Sequence, residues 1–594
     1  MDAKLTLELS RLDPSIPFHA STSHHHHTWA RTFHTRPELY IQPQSIEEIQ
    51  KLITLARRCR RRIVVVGSAH SPSDLTCTSS WLVNLDHFNR VLSVDDDSKV
   101  MRVQAGIRLH DLNARAAEHG LTMPNLGSID EQSIAGVMAT GTHGSSLSHG
   151  LVSSRARALR IVLANGAVVR CSGAQNGELF RAALVSLGAL GIIVEVEYEM
   201  VADVQIAWTQ TIVPSETILA KWTEDLWTAE EFVRVWWLPY TGRSVMWRAS
   251  KVDPDTASAA TETSTNEDGS WYAGAVGYHT YHTLLYLAHY LPPLLPLIER
   301  FIFSMQYGFR NGTTTTGAAP QRSALLMDCL YSQLVNEWSL PLSRGPEALS
   351  RLTAWLNGDR ATAQLPFDPS GVYIHAPIEV RVSDTTSTSE AHPRPFLDWS
   401  SPSEPTLFLN ATLYRPHGLE PACAARYYAA FEYLMKSLGG RPHWAKNFCS
   451  VGSEEVRGWY GEDLEAWLRV RGEVDPEGLF VGGWLRRVVL GEGEGEGEEK
   501  TARMPLEERE TSRWARNGSI LGRIAAWARG TPTASVAAED GRRLGSGKAG
   551  SVSPVLSDES FDVMVGAEVE TSTMFGSIGS LDEGDEGGET DKGE

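Results

Sequence analysis

VVVGSAHSPSD, residues 64–74, is the stretch that decides the fold. Ile63–Val66 is a β-branched run, which predicts a buried strand, and Gly67 ends that strand in a tight turn. The residues that follow are small, so backbone N–H groups can approach a pyrophosphate closely and cradle it. His70 has no apolar surface to pack on in such a loop. It therefore either stabilises the loop or faces a cleft as a nucleophile or an acid–base group.

A second glycine-rich element, from Gly136 to Ser146, can approach a phosphate in the same way. The sequence has no GxGxxG after its first strand, no Walker A motif and no GxSxG elbow, so the usual dinucleotide, nucleotide and hydrolase signatures are missing. Together the two elements predict a split phosphate-binding site.

Four regions differ in texture along the 594 residues. Residues 1–35 are predicted to be a variable leader, and residues 36–203 an α+β block with a helix at Ser45–Arg58 and a hairpin at Asn165-Gly166. Residues 204–488 are rich in aromatic strands with helices between them, which predicts an antiparallel α+β domain. Residues 489–594 have few apolar and many charged residues, which predicts a disordered acidic tail.

Elements of the second domain follow from its periodicity. We predict helices at Ser215–Thr228, Leu325–Glu337 and Ala422–Leu438, and strands at Phe232–Leu238, Val245–Arg248, Val372–Val382 and Thr406–Tyr414. Residues 253–270 and 383–405 are predicted to be surface loops.

Composition limits the partners. The net charge of −19 argues against nucleic acid, because phosphate binding needs clustered Lys and Arg. Six widely spaced cysteines without a CxxC pair suggest neither a zinc site nor a redox pair, and His24–His27 is interpreted as a solvated tract, so no metal is predicted.

Membrane and targeting signals are weak. The N-terminus shows neither a secretory signal nor a transit peptide, and an intracellular location is expected. Leu284–Phe303 is mostly apolar but carries prolines and charges, which predicts a buried or interfacial helical segment or, as the alternative, a membrane-surface contact. Trp514–Trp527 could form a short basic amphipathic helix.

The chain resembles the sugar-1,4-lactone oxidases, in particular the fungal D-arabinono-1,4-lactone oxidases, of the vanillyl-alcohol-oxidase flavoprotein superfamily. The resemblance covers residues 30–485. It rests on eight motifs in family order: VVVGSAHSPSDLTC (64–77), MPNLGSIDEQSIAGVMATGTHGS (123–145), LGALGII (187–193), LLMDCLYSQLVNEW (325–338), IEVRVS (378–383), LYRPHG (413–418), RPHWAK (441–446) and DPEGLF (475–480).

The resemblance implies a PCMH-type FAD-binding domain of two α/β subdomains and a cap domain with a large antiparallel sheet. It implies that FAD is attached covalently through His70. The other cofactor-binding residues that it implies are Gly67, Ser68, Ala69, Ser71, Pro72, Gly127, Ser133, Gly136, Gly141, Thr142, His143, Gly144, Ser145 and Ile193.

The resemblance also implies four substrate or catalytic residues: Ser128, Glu379, Arg381 and Lys446. Period-2 geometry puts Glu379 and Arg381 on one face of a strand, although alternating charges on an exposed strand would look the same. Ser128 could equally be a plain turn serine. His443 and Trp444 are interpreted as residues that position the loop of Lys446.

One position departs from the related polyol oxidases. Asn410 stands where they carry a histidine, whereas Thr412 is retained. This departure disfavours open-chain alditols and fits a lactone better.

The implied reaction is oxidation of the C2 hydroxyl of an aldono-1,4-lactone, with O2 reduced to H2O2 and an ascorbate-like product. Lys446 or Arg381 would offset the negative charge that develops. Oxygen-reactive relatives tend to carry glycine at the position of Gly127; alternatively, Gly127 only permits a turn with positive φ.

Three alternatives stay open at this point: a dehydrogenase that passes electrons to cytochrome c, a non-catalytic flavin-binding or flavin-free interaction protein, and a reductase that uses NAD(P)H. The resemblance implies a mitochondrial membrane location.

Overall fold

The structure is a computed structural model that describes residues 3–252, 271, 274–327 and 329–492. The predicted acidic tail, the helix at Trp514–Trp527 and the loop at 253–270 lie wholly or almost wholly outside these residues.

A four-stranded sheet carries the deciding loop. Its order is Ala20–Ser21, Leu39–Ile41, Trp81–Asn84 and Ile63–Val66, and the last three strands are parallel. The crossover helix Ile46–Cys59 begins where predicted, because the side chain of Ser45 accepts a hydrogen bond from the N–H of Glu48. The strand Ile63–Val66 is confirmed.

A five-stranded antiparallel sheet forms the rest of the N-terminal block. Its order is Val168–Ser172, Ala156–Val162, Ile192–Glu199, Val100–Gln104 and Val91–Asp95, and the predicted hairpin joins the first two strands, with Gly166 at φ +83°. The helices of this block are Leu109–Ala117, Ile134–Ala139 and Gly177–Ala183.

An eight-stranded antiparallel sheet dominates the second part. Its order is Thr314–Pro320, Gln205–Pro214, Arg243–Lys251, Phe232–Leu238, Ile378–Ser383, Thr406–Tyr414, Gln333–Pro341 and Arg441–Pro442. One face packs on the helices Ser215–Lys221, Gly345–Leu356 and Ala424–Ser437 in a common core. These sheets confirm the predicted fold class.

The predicted helix Leu325–Glu337 is wrong. Residues 321–324 form a single helical turn, and Gln333–Pro341 is a strand between Thr406–Tyr414 and Arg441–Pro442. This strand is buried on both faces, so its sequence lacks the polar–apolar alternation that identifies half-exposed strands. Two boundaries also change: the helix from Ser215 ends at Lys221, and the strand predicted from Val372 begins at Ile378.

Both ends of the described chain pack on the N-terminal block. The helix Ser453–Val474 shares the core of the parallel sheet, and the N–H of Ile63 bonds to the carbonyl of Leu479 at 2.8 Å. Within residues 1–35 the helix Ala3–Leu9 packs on Ile46–Cys59, and Arg415 of the second part donates to the carbonyls of Ala30 and Arg31.

The predicted helical segment at 284–303 is a pair of helices, Ala275–Tyr290 and Leu295–Tyr307, linked by Pro292–Leu294. One side of the pair is buried around Tyr281 and Ile302, whereas eight large apolar residues are exposed: Val276, Leu287, Leu291, Leu294, Leu297, Phe301, Met305 and Phe309. Within the described residues, none of the helices is both long and apolar enough to span a membrane.

Candidate active site

Two cavities meet at His70 and Ser71. The loop cavity, of about 1120 Å³, is bounded by residues 64–71, 132–140, 186–193 and 480–485. The sheet cavity, of about 990 Å³, lies on the face of the eight-stranded sheet that is opposite its helices. Because His70 and Ser71 line both cavities, a ligand that is longer than either cavity can extend from one into the other.

Most of the predicted residues line these cavities. Gly67, Ser68, Ala69, Ser133, Gly136 and Ile193 line the loop cavity, and Pro72, Gly127, Ser128, Thr142, His143, Glu379, Arg381 and Lys446 line the sheet cavity; His70 and Ser71 line both.

Three predicted cofactor residues line neither cavity. Gly141, at φ +72°, lies against Trp399, whose indole donates to the Gly141 carbonyl at 2.8 Å. A Cβ on Gly144 would come within 2.0 Å of the Asn125 side chain. Ser145 donates to the carbonyl of Val233 and accepts from the N–H of Val382. Gly141 and Ser145 thus contact the second part of the chain, whereas Gly144 packs against Asn125 within the N-terminal block, and both kinds of contact need small side chains in that loop.

His70 lies at the junction of the cavities. Its ring stacks on Trp29 at 5.1 Å between centroids, and its buried Nδ1 has no hydrogen-bond partner among the described residues. Burial, with the positive charges of Arg108 and Lys446, lowers the pKa of His70 to about 4. The ring is therefore neutral near pH 7 and keeps a lone pair.

Strand register builds the floor of the sheet cavity. Trp236 pairs with Glu379, Glu379 with Asn410, and Asn410 with Glu337, so these four residues form one row across four strands. All four side chains line the cavity. Arg381, two residues after Glu379, points to the same side.

Glu337 was missed by the sequence reasoning because its segment was predicted to be helical. Its side chain is fully buried, and Oε1 lies 2.6 Å from Nη2 of Arg381 and 3.1 Å from Nε2 of His143. Its Oε2 lies 3.4 Å from Nζ of Lys446. The signal that could have revealed it is the period-2 set Gln333, Val335 and Glu337, which all line the cavity.

The charges of the floor compensate one another. Burial alone would raise the pKa of Glu337, but Arg381, Lys446 and the hydrogen bond from His143 hold it well below its usual range. Burial opposes the charge of Arg381, yet Glu379 and Glu337 raise its pKa. Both groups are therefore charged at neutral pH.

Glu379 keeps one oxygen for a ligand. Its Oε2 accepts from the amide of Asn410 at 3.2 Å, and Thr412 donates to the Asn410 carbonyl oxygen at 3.1 Å. Its Oε1 has no hydrogen-bond donor among the described residues, although Nε of Arg381 is 3.6 Å away. Arg381 is only 5% exposed, so the alternative of an exposed charged strand is wrong.

The structure also bears on the predictions for Ser128, Gly127 and the loop of Lys446. Ser128 lies 3.5 Å from Nη1 of Arg381, so it belongs to the cavity and not to a plain surface turn. Gly127 is not among the residues with positive φ, so the alternative of a left-handed turn is wrong. Trp444 is buried and donates to the carbonyl of Leu397, and His443 accepts from the N–H of Ala445, in keeping with the positioning role predicted for this loop.

Comparison with known proteins gives the family. A family model described as D-arabinono-1,4-lactone oxidase matches residues 196–488, and a model described as FAD binding domain matches residues 37–172. A D-arabinono-1,4-lactone oxidase of Yarrowia lipolytica is 41% identical over 79% of this chain and 98% of its own length. The chain belongs to the D-arabinono-1,4-lactone oxidase family.

Other members agree with this assignment. The Saccharomyces cerevisiae enzyme is 36% identical over 76% of this chain and 94% of its own. A Neurospora crassa protein with a provisional assignment to the same activity is 50% identical over 84% of this chain and 91% of its own. Among solved structures, cholesterol oxidase from B. sterolicum superposes with a TM-score of 0.64 at 15% identity over 80% of this chain and 98% of its own, which shows a shared fold.

The residues present fit FAD. Gly67 packs so closely that a Cβ there would lie 2.4 Å from the Ser133 hydroxyl, which leaves the wall of the loop cavity to backbone and small side chains. His70, which lines both cavities, has a buried nitrogen without a partner among the described residues, and the charged floor belongs to the adjoining sheet cavity. A long cofactor can thus extend from the loop cavity to the reacting centre.

Proposed function

We propose that the chain oxidises D-arabinono-1,4-lactone, or a related aldono-1,4-lactone, at its C2 hydroxyl and uses O2 as the acceptor. The observation that carries the proposal is the row of polar and charged side chains in the sheet cavity, which meets the glycine-rich loop cavity at His70. The activity named for the relatives agrees with it.

The floor provides groups that recognise sugar hydroxyls. Oε1 of Glu379 is available to accept from a hydroxyl, and Ser128 and Thr412 can exchange hydrogen bonds with its neighbours. The amide of Asn410 is held by hydrogen bonds to Glu379 and Thr412. This amide is uncharged, and it is smaller than the histidine that the polyol oxidases have at the same position. A compact lactone ring suits this floor better than an open chain.

Two cations face the hydroxyl that loses its proton. Arg381 and Lys446 are fixed by Glu337 before the substrate arrives, so they stabilise negative charge on the oxygen without reorganising. FAD, when bound, would supply the two-electron acceptor for the C2 hydride, and O2 would be the final acceptor, reduced with two protons to H2O2. The 2-keto lactone left behind enolises to an ascorbate-like enediol.

The proposal is tested by peroxide release from a panel of aldono-1,4-lactones and alditols. We expect turnover of lactones and little turnover of alditols. Lys446→Met should lower kcat/KM by about 10²–10³-fold, the loss typical of one preorganised donor. Lys446 is a cleaner test than Arg381, because Arg381→Met would leave two buried carboxylates short of a partner. A wild-type protein that binds FAD but releases no peroxide with any lactone would contradict the function.

We propose that FAD is attached covalently through His70. Two observations support this proposal: the His70 ring is neutral, and its buried Nδ1 has no hydrogen-bond partner among the described residues. Acid-denatured wild-type protein should carry flavin fluorescence on the polypeptide band, and His70→Ala should release all its flavin. His143→Ala serves as the matched control, because this buried histidine also lines the sheet cavity. Fluorescence that persists in His70→Ala would rule the attachment out.

We propose that Gly127 admits oxygen. A Cβ at this position would meet the Thr142 methyl at 3.1 Å and needs only a small shift, so Gly127→Ala should fold and bind FAD. The added methyl should slow reoxidation by O2 about tenfold or more while reduction by lactone stays similar, because a close-packed site has no spare room. Rapid-mixing absorbance measures both steps. Oxygen reactivity that is unchanged in Gly127→Ala would contradict the role proposed for Gly127. Slow reoxidation of the wild-type flavin by O2, with rapid anaerobic reoxidation by cytochrome c, would favour the dehydrogenase alternative.

We also propose a membrane-surface contact through the helix pair, and with it the mitochondrial membrane location that the resemblance implies. Leu297, Phe301 and Met305 repeat every four residues and are exposed together, which is the pattern of an interfacial helix. Leu297→Asp with Phe301→Asp should abolish co-sedimentation with phospholipid vesicles and leave kcat unchanged. The control Leu7→Asp, at another exposed leucine, should still sediment. Equal sedimentation of all variants would exclude this surface.

A further inference from the structure

Glu337 joins three segments of the chain through one carboxylate. Arg381 comes from the strand Ile378–Ser383, His143 from the loop of the N-terminal block, and Lys446 from the loop after Arg441–Pro442. The backbone adds a second link to the loop of Lys446, because the N–H of His443 bonds to the carbonyl of Glu337 at 2.9 Å. A change at Glu337 therefore reaches every cation that lines the sheet cavity.

Glu432, on the helix Ala424–Ser437, shows what a purely structural carboxylate looks like. Glu432, 1% exposed, accepts hydrogen bonds from the Asn336 amide and from the backbone N–H groups of Cys449 and Ser450. It lies on the helix side of the sheet and lines neither cavity. Glu337 is equally buried, but two of its three partners, Arg381 and Lys446, are charged side chains that line the sheet cavity.

We propose that Glu337 is a positioning residue of the lactone oxidation, which fixes the Arg381 guanidinium and the Lys446 ammonium where charge develops; the proposal rests on the function proposed above. Without this carboxylate, Glu379 would be the one counter-charge left for the two cations among the described residues that line the sheet cavity. Lys446 is 22% exposed and sits at the rim, so repulsion from Arg381 would move it toward solvent.

The position of the carboxylate matters as well as its charge. Arg381 Nη2 is 2.6 Å from Oε1, whereas Lys446 Nζ is 3.4 Å from Oε2, so the two oxygens have different tasks. Glu337→Asp keeps the charge but withdraws it by one methylene group, and cannot reach all three partners at once. Positioning therefore predicts a loss in the aspartate variant too.

The experiment compares Glu337→Gln with the matched variant Glu432→Gln in the full-length holoenzyme. Glu337→Gln should lower kcat by roughly 10²-fold and change KM less than threefold, because the interaction acts on developing charge. Glu432→Gln should lower the melting temperature and leave kcat within twofold. The double variant of Glu337→Gln and Lys446→Met should have a kcat less than threefold below that of Lys446→Met alone, because both substitutions disrupt the same arrangement of charges.

A second readout needs no turnover. Acetylation of Lys446 by acetic anhydride, followed by peptide mass mapping, should be several-fold faster in Glu337→Gln than in wild type, and unchanged in Glu432→Gln. This separates the inference from the proposed function, which fails only if the wild-type protein oxidises no lactone.

Three outcomes would overturn the inference: a folded Glu337→Gln with kcat within twofold of wild type, additive losses in the double variant, or unchanged labelling of Lys446. If Glu337→Gln does not fold, Glu337→Asp decides. An aspartate variant with wild-type kcat would show that the position of the carboxylate is irrelevant, whereas a drop of about tenfold or more supports positioning.

Discussion

Burial of ionised side chains at one cavity floor is the constraint on which the site depends. Removing a charge from water costs several kcal/mol unless a partner of opposite sign is in place. Here Glu337 and Arg381 are almost fully buried, and Glu379 is nearly so. The strand register offsets this cost because it brings the charged groups together. Adjacent strands place Glu337, Asn410 and Glu379 side by side, and Arg381 lies between the two carboxylates.

This constraint explains why the site needs distant parts of the chain. The two buried carboxylates of the sheet, Glu337 and Glu379, need more than one cation as counter-charge. Lys446 provides the second cation, and it lies in a loop that also contacts the N-terminal block. Asn447 in that loop donates to the carbonyl of Pro72 at 2.8 Å, and Pro72 lies two residues after His70. The side-chain oxygen of Asn447 accepts from the N–H of Val335 at 3.0 Å. One short segment thus ties the floor of the sheet cavity to the loop beside it.

The sequence predicts features that short local patterns determine, but it does not reveal residues whose place depends on which strands pair. The strand before Gly67, the small loop after it and the same-face pair Glu379 and Arg381 follow from short patterns, and the structure confirms their placement. Glu337 was hidden because a central strand with Asn, Glu and Ser among its buried residues does not alternate. Gly141 and Gly144 stay predicted cofactor contacts; what the structure adds is that Trp399 and Asn125 occupy the space where their Cβ atoms would lie, which the sequence does not reveal.

The balance of charge gives the floor its chemical character. Against Glu337 and Glu379 stand Arg381 and Lys446, which line the sheet cavity, and Arg234, which does not line it and whose guanidinium donates to the carbonyl of Leu325. Burial lowers the pKa of Arg234 to about 10, so it stays protonated at neutral pH. Taken together, these five residues carry one positive charge in excess. An oxygen that loses its proton at this floor supplies the missing negative charge, so the folded protein is electrostatically closer to the reacting state than to the neutral substrate.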